Sequence, residues 1–429
     1  MIVADVVCGF CGSLCDHIEV KIENREIKEV KGACPIGSKR FLHVRENRIL
    51  KPLIRKDGKL IEVSLDEAIN KAAEILSNSN LPLIYGLSST SIEAQKVCVD
   101  IAELVGGILD QTACVCHGPT IQALQEVGEI TATLGEIKNR ADLVIFWGCN
   151  PMEAHFNHPF RYSVMPAGLF RKGRKERTII TLDIRKTRTA EMSDKFIQIE
   201  PGRDHEILLA LRMILKGRKP DKKVIGGVPI ETIEDLADKI KSCQYGVVFV
   251  GVGLTMTGGR ELTVINLLKL SQEVHDYTRL VIIPMRGHGN VKGAGSCLAW
   301  RTGYPYAVDF SRGYPRYFPG ETTSVDLLSR EEVDAALIVA SDPASNFPLK
   351  AAKTLAKIPT IAIDIKPTLT TMIAEVVIPA AVCGVECEGT MYRMDGVPMR
   401  LKKLIDPPNP EILPDEEILR KIYERLGER

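Results

Sequence analysis

At 429 residues and 45% apolar content, the chain is long enough to bury more than one core, so two or three domains are expected. Fifty-six basic residues against fifty-five acidic ones leave a formal net charge of +1. That excludes a global field for nucleic acid or an anionic membrane, and any anion must be bound locally.

No apolar run approaches the ~20 residues of a membrane span, and the opening MIVADVVCGF lacks the basic region and cleavage site of a secretory leader. The expected location is therefore the cytoplasm, with no nucleic-acid partner and no membrane span. Twelve cysteines in that compartment suggest metal chemistry or an anaerobic setting rather than a disulfide framework. Four of them open the chain as Cys8-x2-Cys11-x3-Cys15, followed by Cys34. Closely spaced thiolates can converge on one cube of iron and sulfide while the fourth returns from a distant loop. A structural zinc site also takes four cysteines, usually as two paired knuckles, and Cys34 has no close partner. The spacing favours a [4Fe–4S] cluster, with zinc as the alternative.

Residues 18–30 (IEVKIENREIKEV) alternate apolar and charged residues around Glu23-Asn24, which predicts a hairpin that carries the chain back to Cys34. From about residue 64, helical patterns alternate with short apolar runs: LPLIYG, ADLVIFWGCNP, TIITLDIRKT, GVVFVGVG, LVIIPMRGHG, AALIVASDP and PTIAIDIKPT. This is the pattern of parallel sheets wrapped by helices. Each run ends in a polar or turn-forming residue, so polar chemistry sits beyond the carboxyl ends of the strands, where open α/β sheets bind ligands. Residues 216–223 read as an exposed loop, and 386–400 as an irregular loop too polar for a core. A proline-rich stretch at 407–414 precedes a closing amphipathic helix.

Several of these strand ends and loops carry candidate chemistry. In TACVCHGPT (112–120), Cys116 and His117 precede a Gly-Pro turn. A thiolate there would be favoured by a bound cation or a charged His117; taken alone, the pair reads as a structural cysteine beside a loop histidine. Cys114 is expected to face the other way, as a packing residue. In PMRGHGNVKG (284–293), Arg286, His288 and Asn290 stand among glycines. Glycine lets the backbone approach a ligand, and an arginine there suits bidentate capture of a carboxylate or phosphate.

Gly148-Cys149-Asn150-Pro151 and Ser341-Asp342-Pro343 each follow a predicted strand, and their amides could face a pyrophosphate. Asp183 and Asp364 close two other strands, where a carboxylate could accept from a ribose hydroxyl or a guanine amine. The two sets resemble one another, which predicts two nucleotide sites in pseudo-symmetry. Gly251-x-Gly253 lacks the third glycine of a dinucleotide fingerprint and argues poorly for a nicotinamide. Cys98, Cys149, Cys243, Cys297, Cys383 and Cys387 read as packing or loop residues.

Taken in order, the amino-terminal cysteines, the Cys116 and His117 pair, GCNP, DIRKT, PGRD at 201–204, RGHGN and ECEGTMYRMDG resemble the molybdopterin oxidoreductases along nearly the whole chain. Within that superfamily, VCHGP, PMRGHGNVKG, VIPAAVCGVECEGTMYRMDGVP and the short length are most similar to the B subunits of formylmethanofuran dehydrogenases of methane-producing archaea.

The resemblance implies a multi-domain α/β architecture with an N-terminal [4Fe–4S] region and two parallel-sheet domains, without the C-terminal β-barrel of longer members. The implied domains are 1–52 plus 373–429 for the cluster, 53–111 plus 290–372 for one pterin dinucleotide, and 112–289 for the other and the metal-ligand cysteine. It implies that Cys8, Cys11, Cys15 and Cys34 hold the cluster. Cys116 would ligate tungsten or molybdenum carried by two molybdopterin guanine dinucleotides, with His117 and Arg286 flanking the metal. Gly148, Asn150, Asp183, Asp204, Gly253, Asn290, Ser341, Asp342 and Asp364 are the expected cofactor contacts. Many relatives place a lysine two residues after the fourth cluster cysteine, where this chain has Ile36; Lys39 is expected to reach the same gap.

The implied activity is reversible reduction of CO2 to formate, with Arg286 holding the carboxylate. The implied partners are a small β-barrel subunit completing the pterin site, a hydrolase subunit condensing formate with methanofuran, and ferredoxin-like electron-transfer subunits. Three rivals stand beside this: the catalytic chain of a formate dehydrogenase, a pterin-free structural electron-relay subunit, and a nicotinamide dehydrogenase with a zinc knuckle.

Overall fold

The computed structural model describes residues 1–428. The chain forms two compact units: Met1–Val115 with His288–Arg393 and the segment from Pro398 on, and Cys116–Gly287 with Met394–Val397. The main segment of the second unit lies inside the domain expected at 112–289. The regions expected as a cluster domain and as a first dinucleotide domain share the first unit. Among the described residues no helix is long and apolar enough to cross a membrane.

The second unit is built on five parallel strands in the order Lys195–Gln198, Thr178–Asp183, Leu143–Trp147, Tyr245–Val250, Arg279–Pro284. Runs such as LVIFW and YGVVFV are buried throughout, because helices cover both faces of a parallel sheet and leave no polar side. Ile145, Trp147, Ile180, Val248 and Val250 point to one face, against Leu208 and Leu211 of the helix Asp204–Leu215 and Leu267 of the helix Arg260–Val274. The alternating residues Val144, Phe146, Val247 and Phe249 face Leu134 and Ile137 on the other. Phe146 and Phe249, register partners on adjacent strands, stack at 5.4 Å, a contact worth about 1 kcal/mol beyond the area it buries.

In the first unit a nine-stranded sheet runs Arg316–Tyr317, Val308–Asp309, Ile108–Gln111, Pro82–Gly86, Ala335–Val339, Thr360–Asp364, Val376–Pro379, Leu53–Lys56, Lys59–Glu62. The five strands from Ile108–Gln111 to Val376–Pro379 pair in parallel, and the outer ones are antiparallel. The closing helix Asp415–Gly427 is amphipathic, as expected. It packs Ile418, Leu419 and Ile422 into the same core as the helices Leu65–Ser77 and Ile92–Leu104.

The two parallel cores share one topology. Counted along the chain, the second unit's strands lie in the order 3-2-1-4-5. The first unit's five follow the same order if the count starts at Ala335–Val339 and wraps round to Pro82–Gly86. The strand order therefore reverses between Leu143–Trp147 and Tyr245–Val250 in one unit, and between Ala335–Val339 and Pro82–Gly86 in the other. Ligands of doubly wound sheets bind at such reversals.

An N-terminal meander of Ile2–Val6, Ile18–Glu23 and Glu26–Lys31 completes the first unit. Its expected hairpin turns through Asn24 and Arg25, both left-handed at φ 52° and 62°, which matches the strand twist. The segment 386–400 departs from expectation. Gly389–Tyr392 and Pro398–Leu401 form an antiparallel hairpin, and Glu386, Met391 and Arg393 are buried. Glu386 is tolerated inside because it is paired, as described below.

Candidate functional site

The second unit gathers Cys116, His117 and Arg286. Cys116 and His117 lead into the helix Gly118–Val127, whose entry is fixed by Pro119. The Cys116 carbonyl accepts from the Thr255 hydroxyl at 2.7 Å. His117 is fully buried, with Nε2 3.3 Å from the Met285 carbonyl and Nδ1 3.3 Å from the Thr120 hydroxyl. A carbonyl can only accept, so the Met285 contact assigns the imidazole proton to Nε2 and leaves Nδ1 to the Thr120 hydroxyl. Burial, reinforced by the Arg286 charge, pushes the His117 pKa down to about 3, so the ring is neutral at physiological pH.

Arg286 is buried, and Nη1 donates to the Met394 carbonyl at 3.3 Å. Burial lowers its pKa, while the charge of Glu129, and that of Cys116 when ionised, support the cation. Burial pushes the Cys116 thiol up to about 11, and the His117 backbone and Arg286 pull the other way. The pocket thus holds a permanent cation, a neutral imidazole and a thiol that a bound cation would ionise.

Two residues that the sequence reading missed complete it. His155 is buried, its pKa lowered by burial, and Nε2 donates to the Arg286 carbonyl at 2.9 Å. Glu129 supplies the counter-charge to the guanidinium. The HFNHP run around His155 was a visible signal; nothing local marked Glu129.

At the carboxyl ends of the same sheet, Gly148 (φ 59°) turns the chain into Asn150 and Pro151. The Asn150 Oδ1 accepts from the Thr189 hydroxyl at 2.6 Å, and its Nδ2 is buried without a protein partner. Asp204 Oδ1 accepts from the Trp147 indole at 2.8 Å, and its Oδ2 is likewise buried and unpartnered. Burial and neighbouring Asp183 raise the Asp204 pKa, and burial raises that of Asp183, whose Oδ1 accepts from the Ile184 amide. An unmatched buried donor and acceptor each cost about 1–3 kcal/mol, so this end of the sheet is shaped for a polar ligand. Gly253 plays another part than the one expected. A Cβ there would lie 2.8 Å from the Gly148 carbonyl oxygen, and one on Gly251 only 2.1 Å from it. These glycines are required by two backbones crossing at the strand-order reversal.

The first unit repeats the turn. Ala340 (φ 49°) stands where Gly148 does, and Asp342 (φ −122°, ψ 69°) has the backbone of Asn150 (φ −125°, ψ 74°), each followed by proline. Ser341 is half-buried beside it. The Asp342 carboxylate is used internally: it accepts from the Thr370 amide and hydroxyl at 2.9 and 2.6 Å and from the Ser345 hydroxyl. Asp364 accepts from the Ile365 amide, and burial together with Asp415 and Asp342 pushes its pKa up to about 7. Asn290 was expected at the cofactor but is consumed as a brace. Fully buried, it donates to the Thr90 carbonyl and accepts from the Tyr392 amide, both at 2.8 Å.

The four amino-terminal cysteines are neighbours in the first unit. Cys8 donates its amide to the Cys15 carbonyl at 2.8 Å. Cys34 caps the helix Pro35–Leu42, its sulfur accepting from the Gly37 amide at 3.3 Å. Burial, then the proximity of Cys11, Cys15 and Cys34, pushes the Cys8 thiol up. A Cβ on Gly37 would lie 3.5 Å from the Cys8 sulfur and 3.6 Å from that of Cys34, so the glycine leaves room beside the sulfurs. Among the described residues no three His, Cys, Asp or Glu side chains converge on a single-ion position.

Lys39, expected beside these cysteines, is exposed, and its charge is felt by Glu46. The cation near the sulfurs is Arg40, which stabilises the Cys11 thiolate and lies 5.5 Å over the Phe10 ring. Helix geometry explains the exchange: Gly37 and Phe41 face inward, Arg40 borders them, and Lys39 lies on the far side.

The molybdopterin oxidoreductase family model matches residues 48–425. The B subunit of the tungsten-containing formylmethanofuran dehydrogenase 2 of Methanocaldococcus jannaschii is 47% identical, over 100% of this chain and 99% of that protein. Acetylene hydratase from Pelobacter acetylenicus shares the fold at a TM-score of 0.74 and 17% identity, covering 99% of this chain and 69% of that one. A chain of the formyltransferase/hydrolase complex from Methylorubrum extorquens, solved with methylofuran, shares it at 0.69 and 24% identity, covering 88% of this chain and 99% of that one.

Proposed function

From a chain that belongs to the molybdopterin oxidoreductase family, we propose the catalytic component of a formylmethanofuran dehydrogenase, reducing CO2 reversibly to formate. The observation that carries this reading is the half-buried Cys116 beside the buried His117 and Arg286 in a chain 47% identical from end to end to a component of a tungsten-containing enzyme of that name.

A tungsten or molybdenum ion carried by pterin supplies two-electron chemistry when bound. Cys116 is the protein ligand that would fit it: among the described residues no group of three donors could hold a bare ion, but one thiol can complete the shell of a metal brought by an organic ligand. Arg286 holds the carboxylate oxygens, since its planar fork matches two oxygens of rising negative charge in a dry pocket. His117, neutral and fixed through Met285 and Thr120, orients the substrate and does not act as an acid near neutrality. His155 and Glu129 hold and balance Arg286.

Cys8, Cys11, Cys15 and Cys34 would hold a [4Fe–4S] cluster, which would supply one-electron chemistry when bound, a reading supported by the space that Gly37 leaves beside the sulfurs. Two guanine dinucleotides are assigned to the two strand-order reversals. Asn150, Asp183 and Asp204 serve one, and Ser341 and Asp364 the other. A β-barrel subunit, a hydrolase that joins formate to methanofuran, and ferredoxin-like carriers complete a cytoplasmic complex.

The test is elemental analysis of the complex purified without oxygen through a tag on this chain. About one tungsten or molybdenum per chain, with iron in excess, is expected. Iron without either metal would make the chain an electron-relay scaffold, and zinc alone would overturn the cluster assignment.

A further inference from the structure

Cys383 and Cys387 meet as isolated bridge partners in a loop of the first unit. The loop closes on itself through Gly384 N to the Cys387 carbonyl at 2.9 Å, and through the Val385 and Glu386 amides to the Val382 carbonyl at 3.0 and 2.7 Å. Gly384 is left-handed at φ 82°, and a Cβ there would lie 2.5 Å from Leu401, so only glycine makes the turn.

Beneath the loop is an ion pair between Arg48 and Glu386, 2.6 Å apart, with side chains 1% and 0% exposed. Arg48 also donates to the Ile365 and Ala380 carbonyls, and Glu386 Oε2 accepts from the Val382 amide. A buried pair is tolerated when its remaining donors and acceptors are used. Here Glu386 uses its second oxygen within the loop, while Arg48 ties the loop's base to the Ala380 and Ile365 carbonyls.

Bridge partners stand ~4.8 Å apart between Cα atoms, inside the ~4.4–6.8 Å window of a disulfide. Each thiol donates to a carbonyl of the same loop, Cys383 Sγ to Glu388 at 3.9 Å and Cys387 Sγ to Ala381 at 3.8 Å, and the neighbouring Cys387 side chain, then burial, raise the Cys383 pKa well above the usual thiol range. Both residues are half-buried and within reach of solvent, unlike the buried Cys98 and Cys297.

We propose that Cys383 and Cys387 form a redox-active dithiol that closes reversibly to an internal disulfide by exchange with a small-molecule disulfide, RSSR. Cys387 loses its proton and attacks as thiolate; the S–S bond of RSSR breaks and RS− leaves. Cys383 then releases its proton and attacks the Cys387 sulfur of the mixed disulfide, expelling the second RS−. Two electrons pass from the pair to RSSR. One S–S bond replaces another, and the two thiol protons end on two RSH. The loop is already closed by its hydrogen bonds and ion pair, so the bond forms without moving the backbone far.

The test uses the complex purified without oxygen and equilibrated with mixtures of oxidised and reduced glutathione. Free thiols are then alkylated, and the peptide carrying both residues is weighed. The expected result is loss of two hydrogens without added glutathione, reversed by excess reduced glutathione. Cys383→Ser should trap glutathione on Cys387, and Cys387→Ser should abolish the internal bond. Glutathione on both wild-type cysteines with no internal bond would overturn the proposal. So would a pair that stays reduced across the series while other half-buried cysteines oxidise.

Discussion

His155 grips Arg286 by its backbone: Nε2 donates to the Arg286 carbonyl at 2.9 Å inside a pocket that excludes solvent from both residues. The guanidinium position therefore depends on a histidine more than a hundred residues away in sequence. His155→Ala is expected to lower kcat about tenfold, the equivalent of one buried hydrogen bond, while tungsten or molybdenum content is retained. Arg286→Lys should cost more, about a hundredfold, because an ammonium cannot present two parallel donors. Steady-state kinetics beside metal analysis checks both. Unchanged turnover in Arg286→Lys would remove the guanidinium from the chemistry.

His117, at about 3, makes the protein acid-sensitive. Its folded pKa lies below the unfolded value, so between about 6.5 and about 3 the unfolded chain binds the extra proton. The stability it contributes is present above pH 6.5 and is lost as pH falls toward 3. His117→Gln should flatten the change in urea midpoint between pH 7 and pH 5, and a slope equal to wild type would refute the assignment.

Asp364 acts with the opposite sign. Its folded pKa of about 7 exceeds the ordinary carboxylate value, so its contribution is complete below about pH 4 and is lost as pH rises through 7. Asp364→Asn is expected to stabilise the cofactor-free chain by a few kcal/mol at pH 8 and hardly at all at pH 4, while lowering the guanine nucleotide released on denaturation of the complex. Thermal midpoints at the two pH values and nucleotide chromatography test the two halves separately.

Gly251→Ala should destabilise by about 3 kcal/mol or more, because the new methyl would meet the Gly148 carbonyl at 2.1 Å and backbone cannot yield cheaply. Gly258→Ala, with open space around it, is the control. Equal denaturation midpoints for the two would show that the crossing backbones at the strand-order reversal are not tightly packed.

Much of this was legible in the sequence because it was local. The strands ended where LVIFW meets GCNP and TIITLD meets IRKT, and the cysteine spacing placed four thiols together. What escaped depended on direction or on distant partners. Lys39 and Arg40 differ by one residue, but helix geometry sends only Arg40 toward the sulfurs. Asn290 read as a ligand contact, yet the Thr90 carbonyl and Tyr392 amide already use it. Cys383 and Cys387 read as loop residues because the ion pair that shapes their loop joins Arg48 to Glu386, 338 positions along the chain.

The interleaving of the two units also sets an order of events during synthesis. The second unit is almost one continuous stretch, and all five of its strands have emerged by Pro284. The strand Pro82–Gly86 emerges long before it, yet its parallel neighbour Ala335–Val339 comes only afterwards. On the ribosome the later-starting unit can fold first, while the earlier one waits with an open sheet edge. A nascent chain paused once Pro284 has emerged would carry the second unit's complete sheet, lacking Met394–Val397, beside one unfinished, aggregation-prone edge.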